Sequence, residues 1–258
     1  MRIGRVVVHG KARWGFVEGD FVRYANDDSG PGDIDTLEGD IPIAEADWLT
    51  PVKPGKVVAV GLNYRDHADE LGMAIPDDPV LFMKPPSAVI GPGAPILLPP
   101  RSRQVDYEAE LAVVMKSHCR RITADEAGSA ILGYLCANDV TARDLQRIDG
   151  QWTRAKGYDT FCPLGPWIET SLDPSNLRVE ALLNGRLVQR SSTAHMIFTV
   201  NELVAFISSV MTLEPGDVIL TGTPPGVGPL TAGDTVTVRI EGLGELTNPA
   251  VAEGQESY

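Results

Sequence analysis

Five short stretches of the chain carry residue types that can do chemistry. The first is Asp106-Tyr107-Glu108-Ala109-Glu110, running straight into the apolar stretch Leu111 to Met115. Read as one continuous β-strand, it puts Asp106, Glu108 and Glu110 on one face and Val105, Tyr107, Ala109, Leu111 and Val113 on the other. Carboxylates that close repel by on the order of several kcal/mol per pair at a partly buried dielectric of roughly 20. Either a bound cation or bulk water along an acidic edge strand would offset the repulsion, and the motif alone leaves both open.

The second stretch holds His67 and Glu70, three residues apart and so on one face of a helix predicted over Arg65 to Leu71. Side chains at that spacing can touch, although an isolated pair of this kind is more often a solvated helix with an incidental histidine. The third runs from Asn138 to Gln146, where helical spacing would align Asp139, Arg143 and Gln146 at i, i+4 and i+7; a surface salt bridge accounts for the first two without any function. The fourth sets Lys156 between Ala155 and Gly157 in a predicted polar loop. The fifth, Thr221-Gly222-Thr223-Pro224, follows an apolar strand and offers backbone N–H groups and hydroxyls. It lacks the G-x-x-x-x-G-K-[ST] pattern and no helix signal follows, which argues against nucleotide binding.

The elements that must position these residues are mostly strands. Residues 1–50 read as a small β unit: strands over Arg2 to Val8, Arg13 to Val17 and Phe21 to Tyr24, then a Gly/Asp/Pro-rich loop from Asn26 to Asp40. The run Thr50-Pro51-Val52-Lys53-Pro54-Gly55 marks a boundary before a main domain over residues 51–258. In that domain Lys56 to Val60 and Pro79 to Lys84 read as strands, with residues 72–79 between them as a lid-like loop. Thr123 to Glu126 forms a capping box for a helix ending near Gly133, and Thr199 with Glu202 caps a second helix with an apolar face. Asn184-Gly185 predicts a hairpin between Leu177–Leu183 and Leu187–Arg190. A final hairpin turns at Gly242 to Gly244.

Composition sets outer limits on function. The 258 residues include 43% hydrophobic and 22% charged residues, proportions of an ordinary globular protein able to bury a large core. A net charge of -13 argues against a nucleic-acid partner, which needs clustered Lys and Arg. Cys119, Cys136 and Cys162 are odd in number and form no C-x-x-C pair, so a reducing cytoplasm is the expected setting. Neither a leader sequence nor a membrane-spanning stretch is evident.

Taken in order, Gly61-Leu62-Asn63-Tyr64 with His67 and Glu70, the acidic motif at 106–110, Asn138-Asp139-x-Thr141-x-Arg143-Asp144-x-Gln146, Lys156-Gly157 and Thr221-Gly222-Thr223-Pro224 resemble the fumarylacetoacetate hydrolase family in its short bacterial form. The likeness spans nearly all of residues 51–258 and is loose before that. It implies an α+β, mainly β fold with a mixed β-roll or distorted β-sandwich core, few helices, and assembly as a homodimer. It also implies Mg²⁺ or Mn²⁺ on Glu108, Glu110 and Asp139, with Asp106 a supporting acid; hard carboxylate oxygens suit such ions. Longer animal members have a fourth carboxylate that finds no acidic match near Val60. The resemblance further assigns His67 and Glu70 to a dyad on a closing lid and Lys156 to stabilising developing negative charge. Arg143, Gln146 and Thr223 would hold substrate or support the metal, and Lys84 would help neutralise a substrate carboxylate. The activity implied first is hydrolytic C–C cleavage of acylpyruvates such as fumarylpyruvate or acetylpyruvate. Oxaloacetate decarboxylation and isomerisation of 2-hydroxyhepta-2,4-diene-1,7-dioate pass through the same enolate chemistry, and a non-catalytic, metal-stabilised binding protein is the rival from another class.

Overall fold

The stretch that follows the acidic motif is the centre of the molecule. In the computed structural model, which describes residues 1–25, 28 and 37–254, the strand Ala109–Met115 is buried at every position. It pairs antiparallel with Ile131–Asn138 on one side and with Val218–Leu220 on the other. From Val218–Leu220 the same sheet continues parallel to Val57–Val60 and ends at the edge strand Leu81–Lys84. Both faces are apolar and buried. Leu111, Val113 and Cys136 pack with Val179, Ala181, Val236, Val238 and Leu246 of a second, five-stranded sheet. Ala112, Val114, Leu135 and Ala137 pack with Val57, Ala59, Leu164 and Leu220. This is why these strands read as continuous apolar runs, each fully buried Leu or Val contributing about 1.5–3 kcal/mol.

The five-stranded sheet contains the hairpin predicted at Asn184-Gly185, formed by Arg178–Leu183 and Arg186–Ser192. Both turn residues have left-handed φ, +52° and +76°, which Asn and Gly tolerate best. The N-terminal strands Arg2–Val8, Lys11–Glu18, Phe21–Ala25 and Leu37–Pro42 form an antiparallel ladder around Val6, Val8 and Val22. That ladder joins the twelve-stranded sheet where Arg2 and Ile3 pair with Glu169 and Ile168. The loop expected over 26–40 lies largely outside the described residues, and its last part, from Leu37, is strand.

Five α-helices occur among the described residues: α1 (Arg65–Leu71), α2 (Ala124–Ala130), α3 (Arg143–Asp149), α4 (Thr153–Lys156) and α5 (Val200–Val210). Helices α2 and α5 begin with the predicted capping boxes. Helix α5 buries Val200, Leu203, Val204 and Ile207 on one face. No helix among the described residues is long and apolar enough to cross a membrane.

Four local expectations need correction. The acidic motif is not one continuous strand: Val105–Tyr107 belongs to a three-stranded sheet, Ala109–Met115 to the largest sheet, and Glu108 lies at the break. The backbone N–H groups at the break are taken by side chains, Glu108 N by Asn138 and Ala109 N by Gln189. Asp139 is not helical; α3 begins at Arg143, so Asp139, Arg143 and Gln146 do not share a helical stripe. Lys156 ends the short helix α4 instead of standing in a loop. Helix α2 stops at Ala130 because Ile131 already pairs with Met115.

Candidate metal centre

The strand break and the end of the neighbouring strand bring three acids together. One carboxylate oxygen from each of Glu108, Glu110 and Asp139 lies within 4.8 Å of the other two, and all three residues are buried. Glu110 projects from the central strand. Asp139 directly follows the strand Ile131–Asn138, and its N–H donates to the Glu108 carbonyl at 2.9 Å. Thr141 Oγ donates to the Asp139 carbonyl (2.8 Å) and lies 3.2 Å from Glu108 Oε1, fixing the turn between them. Gly222 N–H donates to Glu110 Oε2 at 2.7 Å. At that glycine φ is +96° and a Cβ would stand 2.8 Å from Asn63 Cβ, so only glycine lets the backbone approach.

Three cationic side chains surround the acids. Lys156 Nζ donates to Asp139 Oδ2 (2.5 Å) and Glu108 Oε2 (3.0 Å), and Lys84 Nζ donates to Asp139 Oδ1 (2.5 Å) and the Val140 carbonyl (3.1 Å). Arg143 spreads over three partners: Nε to Asp106 Oδ2 (2.8 Å), Nη1 to Gln146 Oε1 (2.7 Å) and Nη2 to Glu108 Oε1. A cavity of about 510 Å³ is lined in part by Lys84 of this set, with Phe82, Trp152 and Gly157.

The two glutamates respond to this field in opposite directions. Burial alone would raise Glu108, but the charges of Lys156 and Arg143 and their hydrogen bonds bring its carboxyl down to about 2. Glu110 is pushed well above the usual carboxylate range by burial and by the charges of Asp139 and Glu108. Burial disfavours charge on Lys156 as well, yet Asp139 and Glu108 hold its ammonium above the ordinary lysine value. A proton on Glu110 leaves Asp106, Glu108 and Asp139 matched by Lys84, Arg143 and Lys156. The donor set fits a hard divalent cation: three oxygens converge, and their mutual repulsion is what such an ion relieves. The Nδ2 group of Asn138, whose Oδ1 accepts the Glu108 N–H, is buried without a hydrogen-bond partner among the described residues.

Helix α1 is tied to the loop that bonds Glu110. His67 Nδ1 lies 2.9 Å from Glu70 Oε2, and Glu70 Oε1 accepts the Gly226 N–H at 3.2 Å. Gly226 belongs to the loop whose Gly222 bonds Glu110, so the pair and the acids are both anchored to one segment. The structure therefore joins Glu108, Glu110, Asp139, Lys84, Lys156 and Arg143 in one network, with Gln146 bonded to Arg143. Thr223 is buried beneath it and donates to the Ala109 carbonyl at 3.0 Å. The ammonium of Lys84, expected to face a substrate carboxylate, is engaged by Asp139 and Val140, and its side chain is fully buried.

Sequence reasoning missed Gln189. Its Oε1 accepts the Ala109 N–H (3.0 Å), and its Nε2 donates to Thr223 Oγ (3.0 Å) and the Pro224 carbonyl (2.8 Å). No local signal marks it, because it sits in a hairpin strand 80 residues away from Ala109.

Residues 56–251 match the family described as fumarylacetoacetate (FAA) hydrolase C-terminal. An oxaloacetate tautomerase of rat mitochondria is 44% identical over 82% of this chain and 71% of that protein. The structure of a 5-carboxymethyl-2-hydroxymuconate delta-isomerase from Mycobacterium smegmatis is 46% identical, covers 98% of this chain and 100% of its own, and superposes with a TM-score of 0.90. A maleylpyruvate hydrolase from Sphingobium sp. SYK-6, solved with manganese(II) and pyruvate, is 33% identical over 98% of this chain and 99% of its own, with a TM-score of 0.83. With its mainly β fold and converging carboxylates, this chain belongs to the fumarylacetoacetate hydrolase family, whose members named here are tautomerase, isomerase and hydrolase enzymes.

Proposed function

We propose that this protein is a Mg²⁺- or Mn²⁺-dependent enzyme that moves a proton at the enolisable carbon of a small 2-oxo carboxylate, with the enol and keto forms of an oxaloacetate-like diacid as substrate and product. The observation that carries this reading is the His67–Glu70 pair, tied through Gly226 to the loop that bonds Glu110. A divalent cation on Glu108, Glu110 and Asp139 would supply Lewis-acid polarisation of the 2-oxo group. The remaining work falls to the chain itself. Glu70 holds His67 through Nδ1, which leaves Nε2 to take and return the proton at the carbon. Lys156, raised by its carboxylate neighbours, carries a fixed positive charge to meet negative charge on the 2-oxo oxygen. Arg143 locks Glu108 and Asp106 in place. With Glu110 ionised, four carboxylates stand against three cationic side chains and a divalent ion. One net positive charge remains, and it favours an anionic substrate.

Similarity supports ranking proton transfer first, since the tautomerase and isomerase relatives are 44% and 46% identical and the maleylpyruvate hydrolase 33%. Hydrolytic C–C cleavage of acylpyruvates is the second reading. It is favoured by the same pair, because an imidazole oriented by a carboxylate also takes a proton from water. The working form proposed is a cytoplasmic homodimer without nucleic-acid or membrane partners, with light scattering as the check on mass.

The test is a panel of enol-oxaloacetate, fumarylpyruvate and acetylpyruvate, each with Mg²⁺, with Mn²⁺ and after chelation. Cation-dependent acceleration of the oxaloacetate enol-to-keto conversion is expected. Pyruvate release from an acylpyruvate with no effect on oxaloacetate would move the assignment to hydrolysis, and no conversion of any of the three would overturn both readings.

A further inference from the structure

Helix α1 carries the proposed proton-transfer pair, yet it has only seven residues, too short to be stable by itself. Its N-cap residue, Tyr64, offers no side-chain cap, so the first N–H groups need other partners. The first intrahelical bond joins Ala68 N–H to the Tyr64 carbonyl. The N–H of His67 is instead taken by Asp66 Oδ1 at 3.0 Å. The other oxygen of the same carboxylate, Oδ2, accepts from Ser191 Oγ and lies 3.2 Å from His195 Nδ1. Ser191 Oγ also lies 3.0 Å from that same His195 nitrogen. Because both contacts of His195 use Nδ1, the trio is no proton relay from serine to aspartate. It is a clasp with one anionic centre and two donors.

The geometry points to Ser191 and His195 as positioning residues for His67, acting through Asp66. This assignment rests on the reading of His67 as the proton-transfer group. Ser191 ends the chain of contacts that begins at the His67 backbone, and it lies in the same strand, Arg186–Ser192, as Gln189. One strand thus supports both halves of the site: Gln189 holds the backbone between Glu108 and Glu110, and Ser191 holds the helix that carries His67. Arg65 adds a second tie, from Nη1 to the Met196 carbonyl at 2.5 Å, so the clasp fixes the rotation of a helix that is already tethered. His195 is 56% exposed and Ser191 half-buried, and neither belongs to the apolar core.

The test compares Ser191→Ala, His195→Ala, their double variant, the conservative Ser191→Thr, and His67→Ala, using enol-oxaloacetate with Mg²⁺. Two readouts are taken: the split between kcat and KM, and backbone amide exchange over residues 65–71. In the double variant kcat is expected to fall about ten- to a hundredfold with KM within about twofold, the penalty of a displaced reacting group. Exchange over α1 should accelerate about tenfold, the factor expected for losing a hydrogen bond to a charged group. Ser191→Thr, which keeps the hydroxyl, should leave both at wild-type values. Unchanged exchange, or a rise in KM at constant kcat, would overturn the assignment. If His67→Ala keeps wild-type kcat, or the wild type turns over nothing, the proton-transfer reading fails by itself. The exchange readout then decides the clasp alone, acceleration supporting it and no change refuting it.

Discussion

Lys156 Nζ lies 2.5 Å from Asp139 Oδ2, and neither side chain is more than 2% exposed. Lys84 holds the other oxygen of the same carboxylate. Two buried lysines on one aspartate make the centre a charge lattice in which each member compensates the next. Removing one partner of a buried pair costs about 3–5 kcal/mol, because the other charge is left without compensation. Lys156→Met is therefore expected to lower the unfolding free energy measured in urea by an amount in that range, with a matching fall in the midpoint. Lys53→Met, at a lysine 70% exposed and paired with Asp28, should change stability by no more than about 0.5 kcal/mol. Equal midpoints for the two variants would refute the compensation argument.

Glu110 gives the centre a pH signature. Its folded-state value lies above its ordinary value, so the folded protein holds a proton that the unfolded chain releases, and stability falls as pH rises from about 4.5 through the folded value. Glu108 is shifted the opposite way, down to about 2, so above pH 5 its contribution is already complete and does not mask the slope. In cation-free protein, Glu110→Gln should flatten the decline in melting temperature as the pH rises above about 4.5. Saturating Mn²⁺ should raise the wild-type melting temperature by about 5–10 °C and the Gln variant by much less. Superimposable pH profiles for the two proteins would exclude Glu110 as the proton carrier.

The pair on α1 can be separated from the acids. Neither His67 nor Glu70 bonds Glu108, Glu110 or Asp139, so His67→Ala should leave Mn²⁺ stabilisation intact while lowering kcat by about 10²–10⁴. Glu70→Gln keeps a side chain that can accept from His67 Nδ1 and should cost about tenfold. A His67→Ala enzyme within a few-fold of wild type would remove the imidazole from the reaction.

The parts legible in the sequence were those written in short-range spacing. His67 and Glu70 are three residues apart on a helix, the capping boxes at Thr123 and Thr199 are local, and the turn at Asn184-Gly185 needs two particular residues. Even the three acids were found through the order of motifs. What escaped was set by contacts between distant segments. Periodicity made the acidic motif one strand, but Gln189 and Asn138 take the N–H groups of Ala109 and Glu108 and divide it between two sheets. Helical spacing placed Asp139 with Arg143, whereas the hydrogen bonds at Thr141 and Glu108 hold Asp139 ahead of the helix. The partner of Lys84 lies 55 residues away, beyond any local pattern.

Gln189 supplies the last prediction, because it completes a closed ring around Ala109. The Ala109 N–H bonds Gln189 Oε1, Gln189 Nε2 donates to Thr223 Oγ, and Thr223 Oγ donates back to the Ala109 carbonyl. Ala109 stands between Glu108 and Glu110, so this ring sets the spacing of two of the three converging acids. Gln189→Leu conserves approximate volume but leaves the Ala109 N–H and the Pro224 carbonyl buried without this partner, at about 1–3 kcal/mol for each unpaired group. Urea unfolding should show that loss without cation and a larger gap with Mn²⁺, because the acids no longer converge as well. A variant as stable as wild type, with an equal response to Mn²⁺, would mean that the strands hold the acids and the ring is incidental. Gln189→Glu sharpens the distinction: it keeps an oxygen for the Ala109 N–H but turns the donor to Thr223 and Pro224 into an acceptor. It should therefore be destabilised above pH 6, where the carboxylate is charged, and recover as the pH falls and the acid can donate.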